Sequence, residues 1–178
     1  EDRSAGLYKV YTGNYGAIAA WAWGYHRCVD FLCGLKEVDA KRIAITGHSR
    51  GGKTTLLAGA TDERIALTSV NASGCCGAGS FMWQGKGAET LSVILKYQRA
   101  WFSHKMDRYI GRENELPFDQ HGLMAAVAPR ALLMTESLDD VWANPEGTWQ
   151  NFCAAREAYL LLGEKDSIGI SYRRGKHA

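Results

Sequence analysis

The succession of strands and helices predicts an α/β fold, a mostly parallel sheet flanked by helices. Three observations carry that prediction. Short apolar runs alternate along the chain with longer segments of three- and four-residue periodicity. The turn Gly47-His48-Ser49-Arg50-Gly51 joins one such run to the helix that leaves it. A glycine-rich loop, 73–79, follows the next run, at the strand end where open α/β sheets build their sites.

Each element has its own justification. Tyr15 to Leu32 reads as a helix because Ile18, Trp21, Tyr25, Cys28, Val29 and Leu32 recur at helical steps. Asn14 is its expected N-cap and Gly34 its stop. Arg42–Thr46 reads as a short buried strand, and Gly52–Ala60 as the helix after the turn. Arg64–Val70 is the second strand. The stretch 81–116 reads as an irregular, partly helical insertion rich in aromatics (Trp83, Tyr97, Trp101, Phe102, Tyr109). Phe118–Val127 looks helical and Pro129 closes it; Ala131–Thr135 is the third strand. Pro145 opens a helix running to about Leu162, which Gly163 ends. Ile168–Tyr172 is the last strand, and His177 follows it. The alternation implies helices on both faces of the sheet.

Composition narrows the function. The chain has 178 residues, 46% hydrophobic and 22% charged, as expected of one globular domain spanning 1–178. A net charge of +2, with basic residues scattered among acids, argues against nucleic acid as a partner and against a polybasic membrane patch. No apolar run reaches the ~18 residues of a membrane-spanning helix. Six Trp and eight Tyr are a generous supply, suited to a core and to sugar-binding clefts alike. Five cysteines (28, 33, 75, 76 and 153) form no C-x-x-C pair, and the vicinal Cys75-Cys76 fits neither a zinc site nor an ordinary disulfide framework. The redox compartment stays open.

The G-x-S-x-G turn, set between strand and helix, has the form of a nucleophile elbow, which lifts a serine hydroxyl clear of an α/β-hydrolase sheet. Its glycines fit a strained turn with no room for a Cβ. The same string also satisfies G-x-x-x-x-G-K-[ST] from Gly47 to Thr54, the phosphate-cradling P-loop pattern. A nucleotide-binding site needs a later strand ending in a magnesium-binding Asp. The later strands end in Val70-Asn71 and Met134-Thr135-Glu136 instead.

The hydrolase reading needs an acid and then a histidine, in that order, after later strands. Ser49 is the expected nucleophile, inert until a base takes its proton. His177, in a glycine-containing loop after the final strand, is the expected base. His26, His104 and His121 lie elsewhere, and His48, although adjacent to Ser49, is expected to point away. Asp140, several residues past the third strand, is the expected acid, with Asp139 and Glu136 as alternatives. The competing reading of these acids is a solvated turn. Only about forty residues precede the elbow and most read as helix, so the chain is expected to be an internal piece of a longer hydrolase lacking its N-terminal strands. Alone, such a piece is expected to be inactive and poorly soluble.

At this point the residues resemble a family. Gly47-His48-Ser49-Arg50-Gly51-Gly52-Lys53 is similar to the elbow of glucuronoyl esterases, carbohydrate esterase family fifteen. Leu116-Pro117-Phe118-Asp119-Gln120-His121, Ala128-Pro129-Arg130, the segment from Asp140 through Trp142-Ala143-Asn144-Pro145, and Gly175-Lys176-His177 resemble it too. The resemblance implies a serine esterase cleaving the ester between (4-O-methyl-)glucuronic acid of glucuronoxylan and lignin alcohols, with no metal or cofactor. It further implies a secreted or periplasmic enzyme, monomeric at full length. Arg50 would then stabilise the oxyanion, and Lys53, Trp142, Glu89 and Gln98 would bind the sugar. The stretch 71–77 lacks the acid that fungal relatives carry there, and His48 stands where they carry a cysteine, so the pattern is of the bacterial type. The alternatives are another carbohydrate esterase such as an acetyl xylan esterase, a P-loop protein, or a catalytically silent carbohydrate-binding module.

Overall fold

The computed structural model describes residues 6–10 and 13–177; the polar opening Glu1-Asp2-Arg3 lies outside them. Four strands, β1 (Ala44–His48), β2 (Leu67–Asn71), β3 (Ala131–Ser137) and β4 (Ile168–Arg173), form one sheet in the order β1-β2-β3-β4. Every neighbouring pair is parallel, and Ile45, Thr68, Leu132 and Ile168 lie in one row across it. Parallel strands need crossovers, and helices supply them. The helices are α1 (Leu7–Val10), α2 (Ala17–Cys33), α3 (Arg50–Thr61), α4 (Leu91–Tyr97), α5 (Gln120–Ala125) and α6 (Pro145–Leu161).

The row from Ile45 to Ile168 is buried, whereas its neighbours in register, such as Ala44, Leu67 and Ala131, are exposed or half-buried. Strand side chains alternate between faces, so helical cover is dense on one face of the sheet among the described residues. The main core lies on that face. Leu56 of α3, Met124 of α5 and Tyr159 of α6 pack there with Val70, Leu132, Met134 and Ile168. Arg130 locks this layer. Its guanidinium donates to the carbonyls of Gly59, Asp62 and Ile65 at 2.7–3.0 Å, satisfying groups at the C-terminal end of α3. A second cluster joins α2 to β1 and α3 through Val29, Ile43, Ile45, Ala58 and Ile65.

Several element ends differ from expectation: β2 is Leu67–Asn71 rather than 64–70, β3 reaches Ser137, and α5 is confined to Gln120–Ala125 rather than 118–127. The N-cap of α2 is Gly16, not Asn14, and only glycine fits there, since a Cβ would lie 2.0 Å from the Trp101 carbonyl oxygen. β1 runs to His48 rather than ending at Thr46, since its register with β2 continues to His48–Asn71. The insertion contains α4 and three short 3-10 turns over a third cluster built on Phe81, Leu91, Ile94, Trp101 and Leu116. Asp119 anchors it. Its buried carboxylate accepts from the Ser80 hydroxyl at 2.5 Å and the Phe81 N–H at 2.9 Å, and it caps α5 through the Gln120 N–H.

Candidate active site

The site is assembled at the C-terminal ends of the strands. Ser49 follows β1 with φ 56° and ψ −123°, a conformation costly for a residue carrying a Cβ. Two glycines make that turn possible. A Cβ at Gly47 would lie 2.4 Å from the Gly51 carbonyl oxygen, and one at Gly52 would lie 2.9 Å from the Ser73 Cβ. Gly51, by contrast, has open space around it, so the second glycine of the pentapeptide is not sterically required. Ser49 takes the N-cap position of α3, yet its side chain makes no capping bond. The hydroxyl is thus left for chemistry. The first N–H groups of α3 have no intrahelical acceptor and face the same end, where the helix dipole favours negative charge.

His177 is held by a zipper between two loops. The Leu138 N–H donates to the Arg173 carbonyl at 2.9 Å and the Asp139 N–H to that of Gly175 at 3.2 Å. The Gly175 N–H returns a bond to the Asp139 carboxylate at 2.8 Å, and the Ser137 hydroxyl donates to the Gly175 carbonyl. Registered in this way, His177 Nδ1 donates to Asp140 Oδ2 at 2.5 Å. Asp140 is buried while the imidazole is partly exposed, leaving Nε2 free to face a reactant. The three acids therefore have distinct positions. Asp140 touches the imidazole, Asp139 braces its loop, and Glu136 lies beneath the site.

Glu136 is fully buried, with Oε1 accepting from the Thr148 hydroxyl at 3.1 Å. Burial, reinforced by the neighbouring Asp140, pushes its carboxyl up to about 8. It makes no bond to His177 among the described residues. His48 is a neighbour of the base: its ring lies 4.5 Å, centroid to centroid, from that of His177. Burial and then the charge of His177 hold its imidazole below the usual histidine range. This contact places the base beside the residue preceding Ser49. Among the described residues His177 is hydrogen-bonded to Asp140 and not to Ser49, a separation common before a substrate tightens a site.

The expected sugar-binding residues separate into two groups. Lys53 is buried rather than on the helix surface, and it lines a cavity of about 380 Å³ with Leu57, Cys76 and Trp101. Its ammonium donates to the carbonyls of Ser73 and Cys75 at 2.6 and 2.5 Å and pairs with Glu89 at 3.4 Å. Three donors meet three acceptors, which also leaves nothing for the phosphate of a P-loop. The Glu89 N–H donates to the Trp142 carbonyl at 3.0 Å, linking Lys53, Glu89 and Trp142 in one chain of contacts. The Trp142 side chain is half-exposed beyond Asp140. Arg50 is exposed, its guanidinium 5.9 Å over the Trp101 ring. Gln98 is exposed at the C-terminal cap of α4, where its carbonyl accepts from the Trp101 N–H.

A family model described as glucuronyl esterase of fungi matches residues 1–163. The chain belongs to the glucuronoyl esterase family. The carbohydrate esterase MZ0003 of an unknown prokaryotic organism is 38% identical over 180 residues, covering 93% of this chain and 41% of that protein. The 4-O-methyl-glucuronoyl methylesterase 1 of Phanerochaete chrysosporium is 39% identical over 172 residues, covering 91% and 36%. Among solved structures, the carbohydrate esterase family 15 glucuronoyl esterase from Caldicellulosiruptor kristjansonii superposes with a TM-score of 0.87 at 41% identity, covering 92% of this chain and 46% of that one. That from Hypocrea jecorina gives 0.83 at 33%, covering 93% and 47%. The α/β-hydrolase fold of these glucuronoyl esterases is the fold seen here. The chain spans about two fifths of the length of the curated relatives it matches. No helix among the described residues is long and apolar enough to cross a membrane.

Proposed function

We propose that this chain carries the serine, histidine and acid of a glucuronoyl esterase cleaving esters of (4-O-methyl-)glucuronic acid in glucuronoxylan with lignin alcohols. The observation that carries the reading is the 2.5 Å bond between Asp140 and His177 beside a serine strained into an elbow. The names of the relatives, 4-O-methyl-glucuronoyl methylesterases among them, support the substrate class. In this mechanism His177 Nε2 takes the Ser49 proton as Oγ attacks the ester carbonyl. The carboxylate of Asp140 fixes the tautomer and stabilises the imidazolium. The oxyanion meets the N–H at the start of α3, and Arg50 swings from Trp101 to add a charged donor. His177 then protonates the departing alcohol. Water, activated by the same imidazole, attacks the glucuronoyl-serine and frees the acid. A secreted or periplasmic location for a monomeric enzyme fits a polymer substrate of this kind.

Hydrolysis of benzyl glucuronate by the full-length protein tests the reading, alongside acetylated xylan as competitor. Turnover of the glucuronate ester, abolished in Ser49→Ala, is expected. Preference for acetyl esters would shift the reading to an acetyl xylan esterase, and wild-type rates in Ser49→Ala would refute the nucleophile.

A further inference from the structure

A second cavity lies beside the proposed acyl site and takes no part in the chemistry above. About 390 Å³ in volume, it opens where the loop after β3 meets the start of α6. Its walls include Trp83, Trp149 and Tyr172, which are 52%, 45% and 37% exposed. Two half-exposed indoles on one concavity are unusual in water, where large apolar faces are normally withdrawn. Lys86 and Glu146 are the charged residues of the lining, and Gln150 adds an amide. One cation and one anion leave it without a dominant charge, so it is suited to an uncharged ligand bearing many hydroxyls.

The walls are fixed in place. Asn144, 1% exposed and in the left-handed region at φ 58°, donates from Nδ2 to the Trp83 carbonyl at 2.8 Å. Its Oδ1 accepts from the N–H groups of Gly147 and Gly85 at 3.0 and 3.3 Å. One buried amide thus holds the Trp83 loop against the helix carrying Trp149. On the opposite wall the Tyr172 hydroxyl donates to the Pro145 carbonyl at 3.3 Å. The Trp149 ring rests on Phe152, centroids 5.3 Å apart. A rigid aromatic platform loses little conformational entropy when a ring stacks on it. The cavity also adjoins the loop of the proposed acid in sequence: Leu138, Val141 and Asn144 line it, on either side of Asp140 and Trp142.

We infer that this cavity is a subsite for the uncharged pyranose chain of the polysaccharide bearing the ester, stacked on Trp149 and Trp83. The inference extends the proposed esterase reading, yet its test does not depend on turnover. Binding of xylohexaose and of cellohexaose to the full-length protein is measured by calorimetry and tryptophan fluorescence, in a Ser49→Ala background, for Trp149→Ala and Trp149→Phe. Xylohexaose should bind and cellohexaose should not, with xylohexaose binding weakened about three- to tenfold by Trp149→Ala and largely retained by Trp149→Phe. The pair of sugars distinguishes a xylan from a glucan chain. With Ser49 restored, Trp149→Ala should raise KM for an oligosaccharide-linked ester while leaving kcat/KM for benzyl glucuronate unchanged. No oligosaccharide binding, equal binding by Trp149→Ala, or displacement only by an aryl alcohol would overturn the subsite. Oligosaccharide binding without glucuronate hydrolysis would overturn the esterase reading alone.

Discussion

Replacing Lys53 with methionine separates a buried brace from a sugar-binding donor. The substitution keeps the length of the stem and removes the ammonium. Two carbonyls, on Ser73 and Cys75, then lose donors at 2.6 and 2.5 Å in a region where both residues are almost wholly buried. An unsatisfied buried acceptor costs about 1–3 kcal/mol. Glu89, with 14% of its side chain exposed, also loses its partner at 3.4 Å. Methionine recovers part of this by avoiding the desolvation of a charge, so the expected net loss is about 3–5 kcal/mol. At roughly 2–4 °C per kcal/mol for a domain of this size, Tm should fall by about 6–20 °C. Thermal unfolding followed by near-ultraviolet circular dichroism reads it directly. Adding Glu89→Gln should restore part of the loss. A raised KM with Tm unmoved within a degree or two would show that Lys53 serves the ligand and not the fold.

Further outcomes follow from the same geometry. Asp140→Asn should lower kcat about 10³–10⁴-fold by stranding the imidazole in the wrong tautomer, whereas Glu136→Gln, which touches no imidazole atom, should retain turnover within about tenfold. Glu136 also sets a pH dependence. Its folded value of about 8 exceeds the ordinary carboxyl value of 4.5, so the stability it confers is full below pH 4.5 and is lost as pH rises towards 8. Glu136→Gln should flatten that decline, seen as Tm against pH. Gly47→Ala should cost about 3 kcal/mol, because its Cβ would meet backbone at 2.4 Å. Gly51→Ala, in open space within α3, should unfold no earlier than the wild type and gain up to about 1 kcal/mol.

The sheet was legible because its strands are short apolar runs closed by turn residues, and each strand-to-helix junction carries its own punctuation. Pro145 at the first turn of α6 is one case and the Ser49 elbow another. The contact between Asp140 and His177 was legible from chain order, since loops at the same end of a parallel sheet converge. The burial of Lys53, by contrast, was not legible. Helical spacing puts it one turn past Ser49, but glycine at 52 lets α3 approach the loop after β2 so closely that the ammonium is enclosed. The contact of His48 with His177 was not legible, because the loop after β4, distant in sequence, folds back over it. The brace role of Asp139 depends on backbone bonds from residues 173–175, which no side-chain pattern announces.

In the proposed mechanism the hydroxyl of residue 49 is activated by the imidazole of residue 177. Fluorophosphonate labelling of the full-length protein, followed by peptide mapping, addresses it most directly. A single adduct on Ser49, formed rapidly in the wild type and at least a hundredfold more slowly in His177→Ala, is the expected result. Labelling at another residue, or a rate on Ser49 indifferent to the loss of His177, would contradict it.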